Sequence, residues 1–361
     1  MAGRFLAAVF LLVLAASSGA AEDRAGAKSK WAWSLDLDAY LSRNLNRPAS
    51  RVNQLRTFDV SSDRVRLNYG QLMIERAASP LGFHVELGSG QAARLFEGKA
   101  GEDGLTANLM QAYASFRAPV GRGLTLDFGK FMTSLNAEVL RTRDNYNYSR
   151  SLLFSYAIPC YHFGLRANYP LSPTLTVGAQ VVNGWNRVRG KDPGKTLVGT
   201  AAWKPHGRVS LTHSVISGVE RRQGQPSRRT VWDSVAVVTA TSRLSLQFTH
   251  DFGVDRPGGV RRVSWTGVAA AVRCALSPRW AIAPRLEWFN DANGFTTGLP
   301  QRLKEGTMTA EFKVRDGVLA RWEYRHDHSD RPFFDRGFDA AAVHHQNTLL
   351  LGLLFAYPWP R

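Results

Sequence analysis

The sequence has 361 residues, with 46 Lys and Arg against 29 Asp and Glu and a net charge of +17 at neutral pH. Its two cysteines, Cys160 and Cys274, are too few for a disulfide scaffold. Beyond the first residues no apolar run approaches the roughly 18–20 residues of a membrane-spanning helix; the best, TLLLGLLFAYPW, stops at about a dozen. A soluble secreted protein and a membrane barrel are what remain.

Chain order begins with a leader. Arg4 precedes the apolar run FLAAVFLLVLAA and the small residues SSGAA, the three parts of a secretory signal peptide. Residues 1–20 are read as that peptide, cut after Ala20 or Ala21, because the run is too short to anchor a spanning helix. Residues 21–30 form a short N-terminal segment, and 31–361 a single domain whose length suits one large closed sheet.

Period-two strands follow. WAWSLDLDAYL puts Trp31, Trp33, Leu35, Leu37 and Leu41 on one face and Ser34, Asp36, Asp38 and Tyr40 on the other. FHVELG, LTLDF, LSLQFTHD, TMTAEFKV and LARWEYRH repeat the pattern. Strands are expected near 31–42, 63–77, 81–90, 107–117, 123–132, 162–171, 173–184 and 195–205. The second half continues near 206–217, 229–240, 242–252, 262–275, 279–290, 301–314, 317–327 and 345–357. Alternation alone also fits a soluble sandwich. The joins decide. Short ones (AASP, APVGRG, PLSP, KPHG, TATSR, LSPR, VRDG) alternate strictly with long ones near 43–62, 91–106, 133–161, 185–194, 218–228, 253–261, 291–300 and 328–344. Tight turns at one end, long loops at the other and an even strand number describe an all-β, transmembrane, antiparallel up-and-down β-barrel of about 16 strands, with periplasmic turns and extracellular loops. Tryptophans agree. Trp31, Trp33, Trp203, Trp280 and Trp359 fall at short-turn ends, Trp185, Trp232, Trp265 and Trp288 at long-loop ends, and only Trp322 at mid-strand.

The segments QAYASFRAPVGRGLTLDFGKF, NYNYSRSLLFSYAIPCYHFGLRANYPLS and VVNGWN resemble the bacterial outer-membrane family called putative beta-barrel porin-2, over most of the mature chain. The resemblance implies a porin-like diffusion channel without enzymatic activity. Two positions depart from its pattern: Thr133-Ser134-Leu135-Asn136 stands where relatives carry Pro and Gly, and Cys160 where an aromatic is expected.

The third long loop, 133–161, is the longest and is both apolar and charged. Folded into a wide barrel, it would lay Leu152, Leu153, Phe154 and Tyr156 on the inner wall and turn Glu138, Arg141, Arg143, Asp144 and Arg150 to the channel as a constriction. Alternation turns Arg166, Arg285, Lys313, Arg321 and Arg325 inward as lumen-wall cations, among Asp36, Asp38, Glu86, Asp127, Glu287, Glu311 and Glu323. Basic clusters in a pore favour anions. Lys130 alone falls on the outward face, by snorkelling near a strand end or by a bulge.

Loop arginines (Arg43, Arg47, Arg51, Arg56; Arg221, Arg222, Arg228, Arg229; Arg256, Arg261, Arg262) suit the phosphates of lipopolysaccharide in the outer leaflet, not nucleic acid, and equally suit a solvated charge run that draws anions toward the mouth. GKDPGKT lacks one residue between its glycines for a phosphate loop. His326, Asp327, His328, His344 and His345 match no closed metal site. No cofactor or metal is expected, and the two cysteines sit at opposite ends of the barrel. The partners are small hydrophilic solutes, outer-membrane lipid and the assembly machinery that reads the last strand; no subunit interface is readable, so a homotrimer is left open. The leading reading is an anion-preferring porin. The alternatives are a barrel hydrolase with a serine–histidine pair near His213 and Ser214, and a plugged structural or adhesive barrel.

Overall fold

The computed structural model describes residues 31–96, 108–189, 194–222, 225–257, 262–338 and 341–358. The leader, Trp359, Arg261 and part of GKDPGKT lie outside the described residues. The first strands are β1 (Trp31–Asn44), β2 (Arg64–Arg76), β3 (Leu81–Ser89), β4 (Leu109–Ala118), β5 (Leu124–Met132), β6 (Tyr161–Pro170), β7 (Leu175–Val182) and β8 (Thr196–His206). Then come β9 (Val209–Arg222), β10 (Gln225–Thr239), β11 (Leu244–Pro257), β12 (Val263–Ala275), β13 (Trp280–Asp291), β14 (Gln301–Arg315) and β15 (Val318–Ser329). In the last long loop β16 (Phe334–Arg336) and β17 (Ala341–Val343) make a small hairpin, and β18 (His345–Tyr357) ends the sheet.

All strands but β16 and β17 form one sheet in which each pairs antiparallel with its neighbours, and β1 pairs with β18 to close the barrel. Closure leaves no edge, so each spanning backbone group finds its partner within the sheet. The register obeys the alternation. Leu37 faces Phe355 and Leu41 faces Leu351 on the outside, while Asp36 and Asp38 project inward. The exposed large apolar side chains, among them Leu286, Leu349, Leu351, Leu353 and Phe128, therefore cover the outer wall. Such a surface suits hydrocarbon, not water.

Three expectations are corrected. The ladders of β9, β10 and β11 run on through the predicted loops 218–228 and 253–261, pairing Arg222 with Gln225 and Pro257 with Ser227. Backbone pairing above the lipid needs no apolar face, so polar residues there carry no strand signal. Trp265 and Trp185 do not join the outer aromatic belt. Trp265 is buried inside, donates from Nε1 to Ala157 O at 3.1 Å and stacks on Phe295 at 5.0 Å, and Trp185 lies under the Arg229 guanidinium at 4.8 Å. In VSWTGVAAAV both faces are apolar or small, so the period cannot say which looks to lipid. Gly253, directly opposite Trp265, makes the room: a Cβ there would sit 2.0 Å from the indole. Lys130 is not exposed on the outer wall: it is only 4% accessible and is covered together with Tyr161 of the inner core, although the ladders on either side of it show no register shift. Its ammonium lies 4.5 Å above the Tyr161 ring.

The buried apolar core sits inside the barrel at the long-loop end. Phe58 from the first long loop and Leu152, Leu153, Phe154, Ala157 and Ile158 from the third pack on Ile216, Val231, Trp265, Phe289 and Leu303 of the wall. This inward core fixes where the third loop can lie.

Candidate functional site

The third long loop leaves β5 at Met132 and returns at Tyr161. It turns at Asn136, whose φ of 70° is left-handed, a region Asn tolerates. The Asn136 side-chain oxygen accepts from the amides of Ala137 and Glu138 at 2.7 and 2.9 Å, and its backbone N–H donates to Asp233 of β10 at 3.0 Å. From there the loop crosses to the wall formed by β13, β14, β15, β18 and β1.

Inward side chains of that wall hold the loop backbone. Arg321 donates to the carbonyls of Thr142, Asn145 and Asn147 at 2.7, 2.8 and 3.1 Å, and is itself paired with Glu311 at 2.7 Å. Glu323 accepts from the amides of Tyr148 and Ser149 at 2.6 and 3.0 Å. Arg325 donates to the Arg150 carbonyl at 2.6 Å and pairs with Asp327 at 2.8 Å. Arg285 joins Glu138 of the loop at 2.9 Å to Glu287 and Glu305 of the wall at 3.1 and 3.3 Å. Asn147 donates to Ala283 O and to Thr309, both at 2.8 Å. Tyr148 reaches β1: its hydroxyl and that of Thr142 both donate to Asp38. Burial, with the Asp38 carboxylate beside it, holds the Tyr148 phenol well above its ordinary range, so it serves as a donor. The ring lies against Gly352 of β18, where a Cβ would come within 2.4 Å of it.

The placement revises the candidate residues. Arg285, Arg321 and Arg325 point inward, but at 2%, 1% and 1% exposure they are sealed beneath the loop and do not line water. Glu138 and Arg150 are buried too. Arg150 donates to the carbonyls of Val139, Leu140 and Tyr148 at 3.0, 2.7 and 2.7 Å and lies 4.5 Å above Phe58. A guanidinium with five donors serves a carbonyl-rich loop better from within than from a channel face. Arg141 and Asp144 pair at 2.8 Å with side chains 34% and 36% exposed, and Arg143 pairs with Asp36 at 2.9 Å. Arg166, paired with Asp127 at 2.8 Å and stacked over Phe131 at 4.5 Å, and Lys313, paired with Asp316 at 2.6 Å, keep partial exposure. Arg56, grouped with the lipid-facing arginines, turns inside to Asp59 and Asp327 at 3.0 and 2.7 Å, and Arg229 turns to Asp255 at 2.9 Å.

Sequence reasoning missed Asn147, Tyr148 and Arg56. The inward acids Asp38 and Glu323 were legible; which loop groups would meet them was not.

Below the loop tip lies a cavity of about 480 Å³, lined by Arg143, Asp144, Arg273, Arg279, Lys313, Arg321 and Glu311 together with the short turn at Ser277 and Pro278. On the opposite wall the inward side chains of β3 to β9, such as His84, Tyr113, Ser115, Asn168, Thr200 and Thr212, stay half-exposed. One sector of the interior is thus dry and the other wet.

Other candidates resolve plainly. His213 faces outward and Ser214 inward, as alternation requires; His213 meets Ser234 Oγ instead, at 2.7 Å. Among the described residues no carboxylate reaches that imidazole. His326 stacks with His345 at 6.2 Å and His328 with His344 at 6.3 Å, and no group of three metal-type side chains converges among the described residues. Cys160 and Cys274 are free.

Three solved structures share this architecture. An anion-selective porin from Comamonas acidovorans superposes with a TM-score of 0.66 at 10% identity, over 91% of this chain and 100% of that one. The outer-membrane channel DcaP of Acinetobacter baumannii gives 0.63 at 12%, over 92% and 100%. The outer-membrane expressed OmpT of Vibrio cholerae gives 0.60 at 10%, over 93% and 100%. At such identities they establish the fold. No curated protein matches the sequence. The model of the family described as putative beta-barrel porin-2, OmpL-like, matches residues 30–357, and with its closed porin barrel the chain belongs to that family of outer-membrane proteins.

Proposed function

We propose that this porin-like outer-membrane channel passes small hydrophilic solutes by diffusion and prefers anions. The observation that carries the reading is the charge of the cavity beneath the loop tip, where four basic side chains (Arg143, Arg273, Arg279, Lys313), with the sealed Arg321 behind them, outnumber two acids (Asp144, Glu311). A low-dielectric wall focuses such a field and raises the local concentration of anions. Arg141, Arg143 and Asp144 form the constriction, because they are the charged loop residues that keep contact with water. Arg166 extends the cationic lining on the wet side. The Comamonas relative in fold is described as anion-selective, and one solved form of OmpT as a trimer, which favours a homotrimer here as well. Outward loop arginines such as Arg43, 60% exposed, suit lipopolysaccharide phosphates.

Recordings in planar bilayers under asymmetric KCl test this. The native protein should give single-channel steps with a reversal potential on the anion side. Arg141→Glu with Arg143→Glu should move the anion/cation permeability ratio severalfold toward cations. An unchanged ratio removes the constriction role, and a protein with no conductance is a plugged structural barrel.

A further inference from the structure

Among the described residues the inner wall holds an acidic pair that no cation serves. β9, β10 and β11 set Ser214, Asp233 and Asp251 in a single inward row, Ser214 opposite Asp233 and Asp233 opposite Asp251. All three are 0% exposed. Elsewhere in the interior, buried carboxylates such as Glu305, Glu311 and Asp327 each meet an arginine. Here, among the described residues, no arginine or lysine reaches either acid. Asp233 Oδ2 accepts the Asn136 amide at 3.0 Å, but Asp233 Oδ1, both oxygens of Asp251 and the Ser214 hydroxyl have no hydrogen-bond partner.

Two facing carboxylates shielded from water cannot both stay ionised unless positive charge lies between them. A shared proton joins one oxygen of each acid and leaves the Ser214 hydroxyl and a second Asp251 oxygen unmet. A hard cation takes all four. We propose that Ser214, Asp233 and Asp251 bind one divalent cation, with Asp251 bidentate, Asp233 and Ser214 contributing one oxygen each, and water filling the remainder. The all-oxygen set excludes soft metals. Its irregular arrangement on three adjacent strands fits Ca²⁺, which accepts six to eight oxygens in flexible geometry, better than Mg²⁺ with its near-ideal octahedron. The two negative charges balance the ion. Because Asp233 also receives the Asn136 amide, the ion clamps the root of the third loop to the wall.

Calorimetric titration of CaCl2 into the full barrel, purified in detergent without lipopolysaccharide and stripped with EDTA, tests the site. One Ca²⁺ per chain should bind, and the melting temperature should rise with it. Asp251→Asn should weaken binding at least about tenfold, since even indirect partners of a metal are worth that much. Ser214→Ala, which removes one neutral oxygen and little volume, should weaken it by a smaller factor and guards against a misfolded aspartate variant. A native barrel that takes up no Ca²⁺ at millimolar concentration, or whose Ca²⁺ affinity is the same in both variants, overturns the proposal. So does a melting temperature indifferent to Ca²⁺, the result expected of a shared proton.

Discussion

Arg285 and Arg141 are both arginines of the pore region, and their surroundings give them opposite roles. Arg285 stands among Glu138, Glu287 and Glu305, every partner within 3.3 Å and all of them buried. Removing one partner of a buried ionic network costs about 3–5 kcal/mol because the rest is left uncompensated. Arg285→Met should therefore lower the urea midpoint of the barrel markedly and free the loop, seen as larger and noisier single-channel currents. Arg141 sits in a one-third-exposed pair with Asp144, and exposed pairs are worth about 0–1 kcal/mol. Its reversal should shift selectivity and leave the urea midpoint nearly unchanged. The sequence shows both as charges on the pore side, yet no residue pattern says which will be covered. That depends on a loop 147 positions away from Arg285 supplying Glu138.

The third loop shows what an element can and cannot disclose. NYSRSLLFSYAIP is apolar without a period, which announces burial but not the surface it is buried against. Its docking is set by receptors on the wall: Glu323 for two amides, Arg321 for three carbonyls, and bare Gly352 for the Tyr148 ring. Each is a single residue in an ordinary alternating strand, so none stands out in one sequence. Gly352→Val should lift Tyr148 from its seat, since even the first side-chain carbon falls 2.4 Å from the ring. Single-channel conductance should increase, with the sheet intact by circular dichroism. Unaltered conductance would mean that the loop tolerates the loss of this contact.

At the scale of the molecule nearly every strand was legible, because lipid outside and water inside impose period two on all of them. The exceptions lie where that contrast fades: above the rim, where β9 to β11 overshoot, and in β12, apolar on both faces. The two kinds of tryptophan offer a check. In vesicles of brominated lipid, a variant retaining only Trp322, exposed on the outer wall, should be strongly quenched, whereas one retaining only Trp265 should keep its emission. Equal quenching would contradict the inward orientation of β12 at that point.

The unequal halves of the interior bear on how cargo moves. If solutes diffuse as proposed, then with the loop stapled to β13, β14, β15, β18 and β1 their path would not be coaxial with the cylinder but would run as an eccentric slot along the half-exposed side of β3 to β9. A traveller in that slot slides past a static bank of hydroxyls, amides and the Arg166 guanidinium on one flank and the loop tip on the other, so that its two sides are inspected by different chemistry.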